Sequence, residues 1–171
     1  GFKNQSDPDK YPDTDWLGLL YSGNGFQQTH NLQFSGATEK VNYMASAGFL
    51  GQNGVIDIAK SNRYNLRTNI GAKVSPKLTL NLGLSYNYQR INEPVNPYTG
   101  DMAQIFRQSN RIPSFIPYKY SNGYYGYYGD GNPIAWLDMQ STDKMTYKHT
   151  NINFSGEYEI LDGLKFRQVV S

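Results

Sequence analysis

The stretch that most constrains this chain is Lys77 to Arg90, KLTLNLGLSYNYQR. Leu78, Leu80, Leu82, Leu84, Tyr86 and Tyr88 occupy its even positions, and Thr79, Asn81, Gly83, Ser85, Asn87 and Gln89 its odd ones. Strand side chains alternate between faces with period two, so one face is apolar and the other polar. On a helix the same leucines would be scattered around the circumference. The preceding stretch, Arg63 to Val74, alternates in the same way, with Tyr64, Leu66, Ile70, Ala72 and Val74 even, Thr68 the one polar entry among them, and Arg63, Asn65, Arg67, Asn69, Gly71 and Lys73 odd. Only Ser75-Pro76-Lys77 separates the two, and proline is preset for turns. Pairing Val74 with Leu78 sets Ile70 against Leu82 and Tyr64 against Tyr88, so a single register satisfies both faces.

The same pattern recurs along the chain. Leu32, Phe34 and Gly36 share a face in 27–38, and Val41, Tyr43, Ala45, Ala47 and Phe49 share one after the turn at 38–40. From about Met145, Ile152, Phe154, Gly156, Tyr158 and Ile160 alternate with Asn151, Asn153, Ser155 and Glu157. Asp162-Gly163 signals a hairpin, and the shared parity of Ile160 and Leu164 predicts a three-residue turn with Gly163 in the left-handed region. Helical signals are few. Asp13-Thr14-Asp15 can cap a short turn before Trp16-Leu17, Asp101 to Asn110 carries Met102, Ile105 and Phe106 at helical spacing, and Asn132-Pro133 can start a turn through Trp136.

Connection lengths decide between a sheet in water and a sheet in a membrane. They alternate between short (38–40, 75–77, 161–163) and long (51–61, 91–144). Outer-membrane barrels alternate short periplasmic turns with longer extracellular loops. A structureless loop as long as 91–144 is unexpected in a compact domain unless it is functional. Tyr64, Tyr86 and Tyr88 would lie near the long-loop rim, where an aromatic girdle belongs. No apolar run approaches the roughly 18 residues of a transmembrane helix, which leaves barrel strands untouched. The fold expected is all-β, an antiparallel transmembrane β-barrel segment of about six strands with one long extracellular loop containing short helices. Six strands fall short of the usual minimum of about eight, and an open sheet leaves two bare edges, so a larger barrel is expected. Gly1 starts in loop-like sequence and Ser171 ends in a strand, so both ends read as cut.

Several segments in order resemble the SusC/RagA family of TonB-dependent outer-membrane transporters of Gram-negative bacteria. They include Thr14-Asp15-Trp16-Leu17, His30-Asn31-Leu32-Gln33-Phe34-Ser35-Gly36, Thr38-Glu39-Lys40-Val41-Asn42-Tyr43 and Gly48-Phe49-Leu50-Gly51-Gln52-Asn53-Gly54. Arg63-Tyr64-Asn65-Leu66-Arg67, Ala72-Lys73-Val74, Arg111-Ile112-Pro113, Asn132-Pro133-Ile134-Ala135 and Glu159-Ile160-Leu161-Asp162-Gly163-Leu164-Lys165-Phe166 continue the series. Ala37 stands where that family usually has a second glycine. The resemblance implies a plugged barrel of about 22 strands that imports glycan or peptide oligomers through the TonB complex, under a SusD-like lipoprotein lid. It implies an early part of the barrel, with residues 1–26 an extracellular loop, 27–90 four strands, 91–144 the long loop, 145–171 two strands, and the plug absent. The location implied is the outer membrane, with the lipid bilayer as a partner.

Candidate contact residues follow from these placements. Tyr124, Tyr125, Tyr127 and Tyr128, with Trp136, offer aromatic faces for sugar rings, peptide groups or a protein partner. The plainer reading is that these rings pack on one another. Arg63, Arg67, Asn69, Asn81, Asn87 and Asn153 are expected to face the lumen, where plug or water is their ordinary partner. His30 and His149 stand isolated and the aspartates of 7–15 lack an EF-hand's glycine and final glutamate, so no metal or cofactor is expected. Gly23-Asn24-Gly25 lacks the third glycine of a dinucleotide site. No nucleophile–base pattern supports an enzyme, and a net charge of +2 without a basic run gives no support for nucleic acid. The rival readings are a soluble all-β carbohydrate-binding module and a β-type glycan hydrolase with paired carboxylates. A soluble module would bury Leu78, Leu80, Leu82 and Leu84, whereas a barrel segment would leave them facing lipid.

Overall fold

The computed structural model describes residues 7–171; the first six residues of the expected 1–26 loop lie outside them. The elements are α1 (Trp16–Leu20), β1 (Gln27–Ala37), β2 (Val41–Asn53), β3 (Lys60–Ser75), β4 (Leu78–Pro94), α2 (Met102–Arg111), α3 (Pro133–Asp138), β5 (Thr142–Leu161) and β6 (Leu164–Val170). The chain forms two compact units. One is a strand unit of 27–51, 62–90 and 146–171; the other is a loop unit built from residues up to Phe26, Gln52–Ser61 and Ile91–Met145.

The six strands form one antiparallel sheet in sequence order, β1 through β6, with β1 and β6 as its open edges. Cross-strand contacts give the register expected for the central hairpin. Tyr64 and Tyr88 lie 6.1 Å apart between ring centroids, and the space over Gly71 is filled by Asn42 on one side and Asn81 on the other. The short turns sit side by side: the Lys73 amide donates to the Lys40 carbonyl at 2.7 Å, and the Glu159 amide to the Lys77 carbonyl at 2.8 Å. In such a meander the connections at 54–59 and 95–141 leave from the opposite strand ends.

The last hairpin corrects one expectation. Leu161 pairs directly with Leu164, so the turn itself is Asp162-Gly163, and Gly163 is left-handed at φ 83°. A register irregularity between Glu159 and Leu161 absorbs the extra residue. That bulge lets Tyr158 pair with Phe166 and Phe154 with Val170, which keeps the even residues on one face.

The resulting apolar face is bare. Leu32, Phe34, Tyr43, Leu66, Ile70, Leu82, Leu84, Ile152, Phe154 and Phe166 are each between 42% and 60% exposed. No buried hydrophobic residue of the described chain belongs to the strand unit. Toward one end of this face an aromatic row crosses four strands. His30 stacks on Phe49 at 6.2 Å, Phe49 meets Tyr64 at 5.0 Å, and Tyr64 meets Tyr88.

The buried core lies in the loop unit. Trp16 and Leu20 of α1, Ile56, Ile105 and Ile112 of the α2 region, and Ile134 and Trp136 of α3 form one cluster. Polar ties join the same segments: the Thr14 amide donates to the Ser114 carbonyl, Thr14 Oγ1 to the Ile116 carbonyl, and Trp16 Nε1 to the Pro113 carbonyl at 3.1 Å. All three short helices carry polar caps, of which the one from the 13–15 stretch was expected as a cap. Asp15 accepts from the Gly18 amide, Asp101 from the Ala103 amide, and Asn132 from the Ile134 and Ala135 amides.

Candidate functional site

Residues 118–126 form a small hairpin inside the long connection. The Gly123 amide donates to the Tyr120 carbonyl, the Tyr120 amide to the Tyr124 carbonyl, and Lys119 bridges Tyr125 in antiparallel fashion. Asn122-Gly123 supplies the turn, with Gly123 at φ 87°; this dipeptide is the sequence signal for it. Asn132 locks the hairpin to α3. Its Nδ2 donates to the Tyr118 and Gly126 carbonyls, both at 2.9 Å, while its Oδ1 caps the helix. Gln108 of α2 donates to the carbonyls of Tyr128 and of Gly131, the latter at 2.9 Å. Asp130 accepts from Gln104 at 2.8 Å and pairs with Arg111 at 3.2 Å.

This framework sorts the candidate aromatic residues into three environments. Tyr124 and Tyr127 are each 74% exposed, and Tyr128 is exposed to a lesser degree. Tyr125 is half-buried, lies 5.8 Å from the Tyr118 ring, and donates its hydroxyl to Asp138 Oδ2 at 2.9 Å. Trp136 is 4% exposed and belongs to the loop core, because α3 turns that face inward onto Trp16 and Ile105. Its ring is therefore a packing element rather than an open stacking surface.

Tyr118 and Asp138 carried no functional signal in the sequence, yet with Tyr125 they form a polar cluster in the loop unit. Tyr118 and Tyr125 both donate to the same oxygen, Asp138 Oδ2. Burial, reinforced by the hydrogen bond to Asp138 and its charge, pushes the Tyr118 phenol well above the usual tyrosine range. The hydrogen bond to Asp138 is the main cause of an upward shift at Tyr125. These hydroxyls act as donors across the physiological range.

On the strand unit, Arg67, Asn69, Asn87 and Asn153 line one depression of about 460 Å³ on the polar face, with Asn65 and Ser85 among their neighbours. Asn81 stands outside it, beside Gly71, and donates to Ser155 Oγ at 3.4 Å. Arg63 is exposed and also lies outside this depression. Among the described residues no group of three or more His, Asp or Glu side chains is placed to hold a metal ion.

Among the described residues no helix is long and apolar enough to cross a membrane; a six-stranded open antiparallel sheet with one bare apolar face is consistent with a segment of β-barrel wall. The chain is similar to two TonB-dependent receptors of Formosa agariphila. It is 26% identical over 157 residues to TonB-dependent receptor P26, a match covering 91% of this chain and 15% of that relative. It is 24% identical over 162 residues to TonB-dependent receptor P3, covering 90% of this chain and 16% of that relative. The chain thus spans only a small part of the length of these receptors. No family model matches it.

Proposed function

We propose that this chain is part of the barrel wall of an outer-membrane TonB-dependent transporter of the SusC type, which imports glycan or peptide oligomers. The carrying observation is the apolar face, where leucines such as Leu82 and Leu84 stay 45% and 44% exposed on a sheet with no apolar layer over it among the described residues. Contiguous apolar surface of this kind belongs against lipid or another protein, and a barrel wall faces lipid on one side and a polar lumen on the other. The aromatic row from His30 to Tyr88 suits the interfacial girdle of such a wall. In this reading residues 27–90 and 145–171 are wall strands, and the 1–26 and 91–144 segments are extracellular. Irregular backbone is excluded from lipid, which supports placing the long connection outside the membrane. Arg63, Arg67, Asn69, Asn81, Asn87 and Asn153 then face lumen and plug. The plug, the TonB-contacting segment and the remaining strands of a barrel of about 22 belong to sequence beyond this chain. A SusD-like lipoprotein acts as the lid over the loop unit.

The test is expression of the full-length protein with single cysteines at Pro76 or Tyr127, followed by membrane fractionation and labelling of intact cells with an impermeant maleimide. The expected result is outer-membrane recovery, labelling at Tyr127 and protection at Pro76. Recovery in a soluble fraction, or labelling at Pro76 with protection at Tyr127, overturns the proposal.

A further inference from the structure

Asparagine precedes glycine at Asn24-Gly25, Asn53-Gly54 and Asn122-Gly123, and all of these pairs lie in the loop unit. Such a pair carries its own chemistry. Glycine has no side chain to block the approach, so its main-chain nitrogen can reach the asparagine side-chain carbon and displace ammonia. Folding sets the rate, because the nitrogen must be free of its hydrogen bond and the asparagine side chain free to turn.

The pairs differ on both counts. The Gly54 amide donates to the Ala59 carbonyl at 2.8 Å, and Asn53 is held as the last residue of β2 with its own amide on the Phe26 carbonyl. The Gly123 amide donates to the Tyr120 carbonyl at 2.9 Å, and Asn122 Oδ1 accepts from the Tyr124 amide at 3.0 Å. The Gly25 amide reaches the Gly54 carbonyl only at 3.3 Å, past the usual range of roughly 2.7–3.2 Å. Asn24 and Gly25 are both exposed, and the Asn24 side chain forms no hydrogen bond with any described residue.

We propose that Asn24 is a site of spontaneous deamidation, and that its conversion to isoaspartate releases residues 23–26 from residues 53–55. The Gly25 nitrogen gives its proton to solvent base and bonds to Asn24 Cγ, the Cγ–Nδ2 bond breaks, and ammonia leaves with a proton from water. Water then opens the succinimide. Opening at Cγ gives aspartate, and opening at the main-chain carbonyl gives isoaspartate, whose main chain runs through Cβ and Cγ and is longer by a methylene. The intact segment is held by the Gly23 amide on the Val55 carbonyl at 2.8 Å, the Gly25 amide on Gly54, and the Asn53 amide on the Phe26 carbonyl at 2.8 Å. A lengthened link between residues 24 and 25 puts Gly23 and Phe26 out of register with these partners. Gly23 sits directly against the main chain of Gly54 and Val55, which leaves no slack to absorb the change. The inference rests on the loop unit alone and holds whatever the transporter carries.

The test incubates the full-length protein, folded in detergent, at mildly alkaline pH and follows its tryptic peptides by mass spectrometry, with isoaspartate located by fragmentation. The three asparagines fall on separate peptides, 11–40, 41–60 and 120–144. Asn24 is expected to convert at least fivefold faster than Asn53 and Asn122, and unfolding in urea to bring the three rates together. Chymotrypsin is expected to cut the converted protein at Tyr21 or Phe26 at least fivefold faster than fresh protein, while Asn24→Gln, incubated alike, keeps its original resistance. Asn53 or Asn122 converting as fast as Asn24 in the folded protein, or no conversion of Asn24, overturns the site. Conversion with unchanged cleavage, or equally accelerated cleavage of Asn24→Gln, overturns the release.

Discussion

Gly126 packs so tightly against Pro117 that a Cβ on Gly126 would overlap the Pro117 carbonyl oxygen. The obstacle is main chain rather than the movable end of a side chain, and the Gly126 amide is also bonded to the Tyr118 carbonyl at 3.2 Å. The glycines of the Gly-Tyr-Tyr-Gly-Tyr-Tyr-Gly repeat therefore have separate reasons. Gly123 and Gly129 have positive φ, at 87° and 57°, while Gly126 provides room for the main chain at Pro117.

Gly126→Ala is accordingly expected to open the 118–126 hairpin, at a cost of about 1–3 kcal/mol, the usual range for overpacking. Limited proteolysis in detergent should show faster cleavage between residues 115 and 131 with the barrel band unchanged. Wild-type cleavage kinetics would contradict the close approach.

The strand unit yields a prediction about faces. Leu82 lies on the bare apolar face, whereas Asn81 lies on the polar one beside Gly71. Leu82→Arg near a bilayer midplane should cost roughly 2–4 kcal/mol of folding stability. Asn81→Arg should cost far less. Folding of full-length variants into lipid vesicles, followed by urea titration, measures both, and equal losses would contradict the assignment of faces.

The strands were legible because alternation is a local signal. Leu78 through Tyr88 declare their faces without reference to any other residue, and the register follows from matching them to Tyr64 through Val74. Strand ends were less legible. β5 begins at Thr142 rather than Met145, and β2 and β3 extend to Asn53 and back to Lys60, so the connection expected at 51–61 shrinks to 54–59. Backbone pairing in these ends continues after the alternation stops. The loop core was not legible at all, because Trp16, Ile56, Ile105 and Trp136 come from three separated segments with no shared period. Trp136 looked like a stacking surface for that reason. Asp138 was equally hidden, since a lone aspartate at the end of a six-residue helix gains its role only when Tyr118 and Tyr125 fold onto it.

That cluster has a testable pH signature. The folded loop holds the Tyr118 and Tyr125 protons more tightly than the unfolded chain does. Their contribution to stability is therefore complete below the ordinary tyrosine value of about 10 and lost as pH rises through the raised folded-state values. Tyrosinate absorbance should show Tyr118 and Tyr125 titrating late, and Asp138→Asn should return Tyr125 toward ordinary behaviour and Tyr118 only in part, since its burial remains. An unchanged titration in that variant would show that the carboxylate does not set the shift.

The last prediction concerns Tyr124 and Tyr127, the two rings of the repeat that reach furthest into solvent at 74% exposure each. Tyr125 holds Asp138, so removing the whole 124–128 stretch would damage the fold as well as any contact surface. The pair Tyr124→Ala and Tyr127→Ala removes two exposed rings and leaves the Asn132 and Gln108 ties to the main chain in place. Exposed aromatic rings on an ordered loop provide stiff contact area at low entropic cost. If they serve substrate capture or lid docking, the double variant should assemble normally, resist protease like the wild type, and lose at least severalfold in uptake or in lipoprotein co-purification. Unchanged uptake and unchanged lipoprotein association would leave the two tyrosines with no contact role.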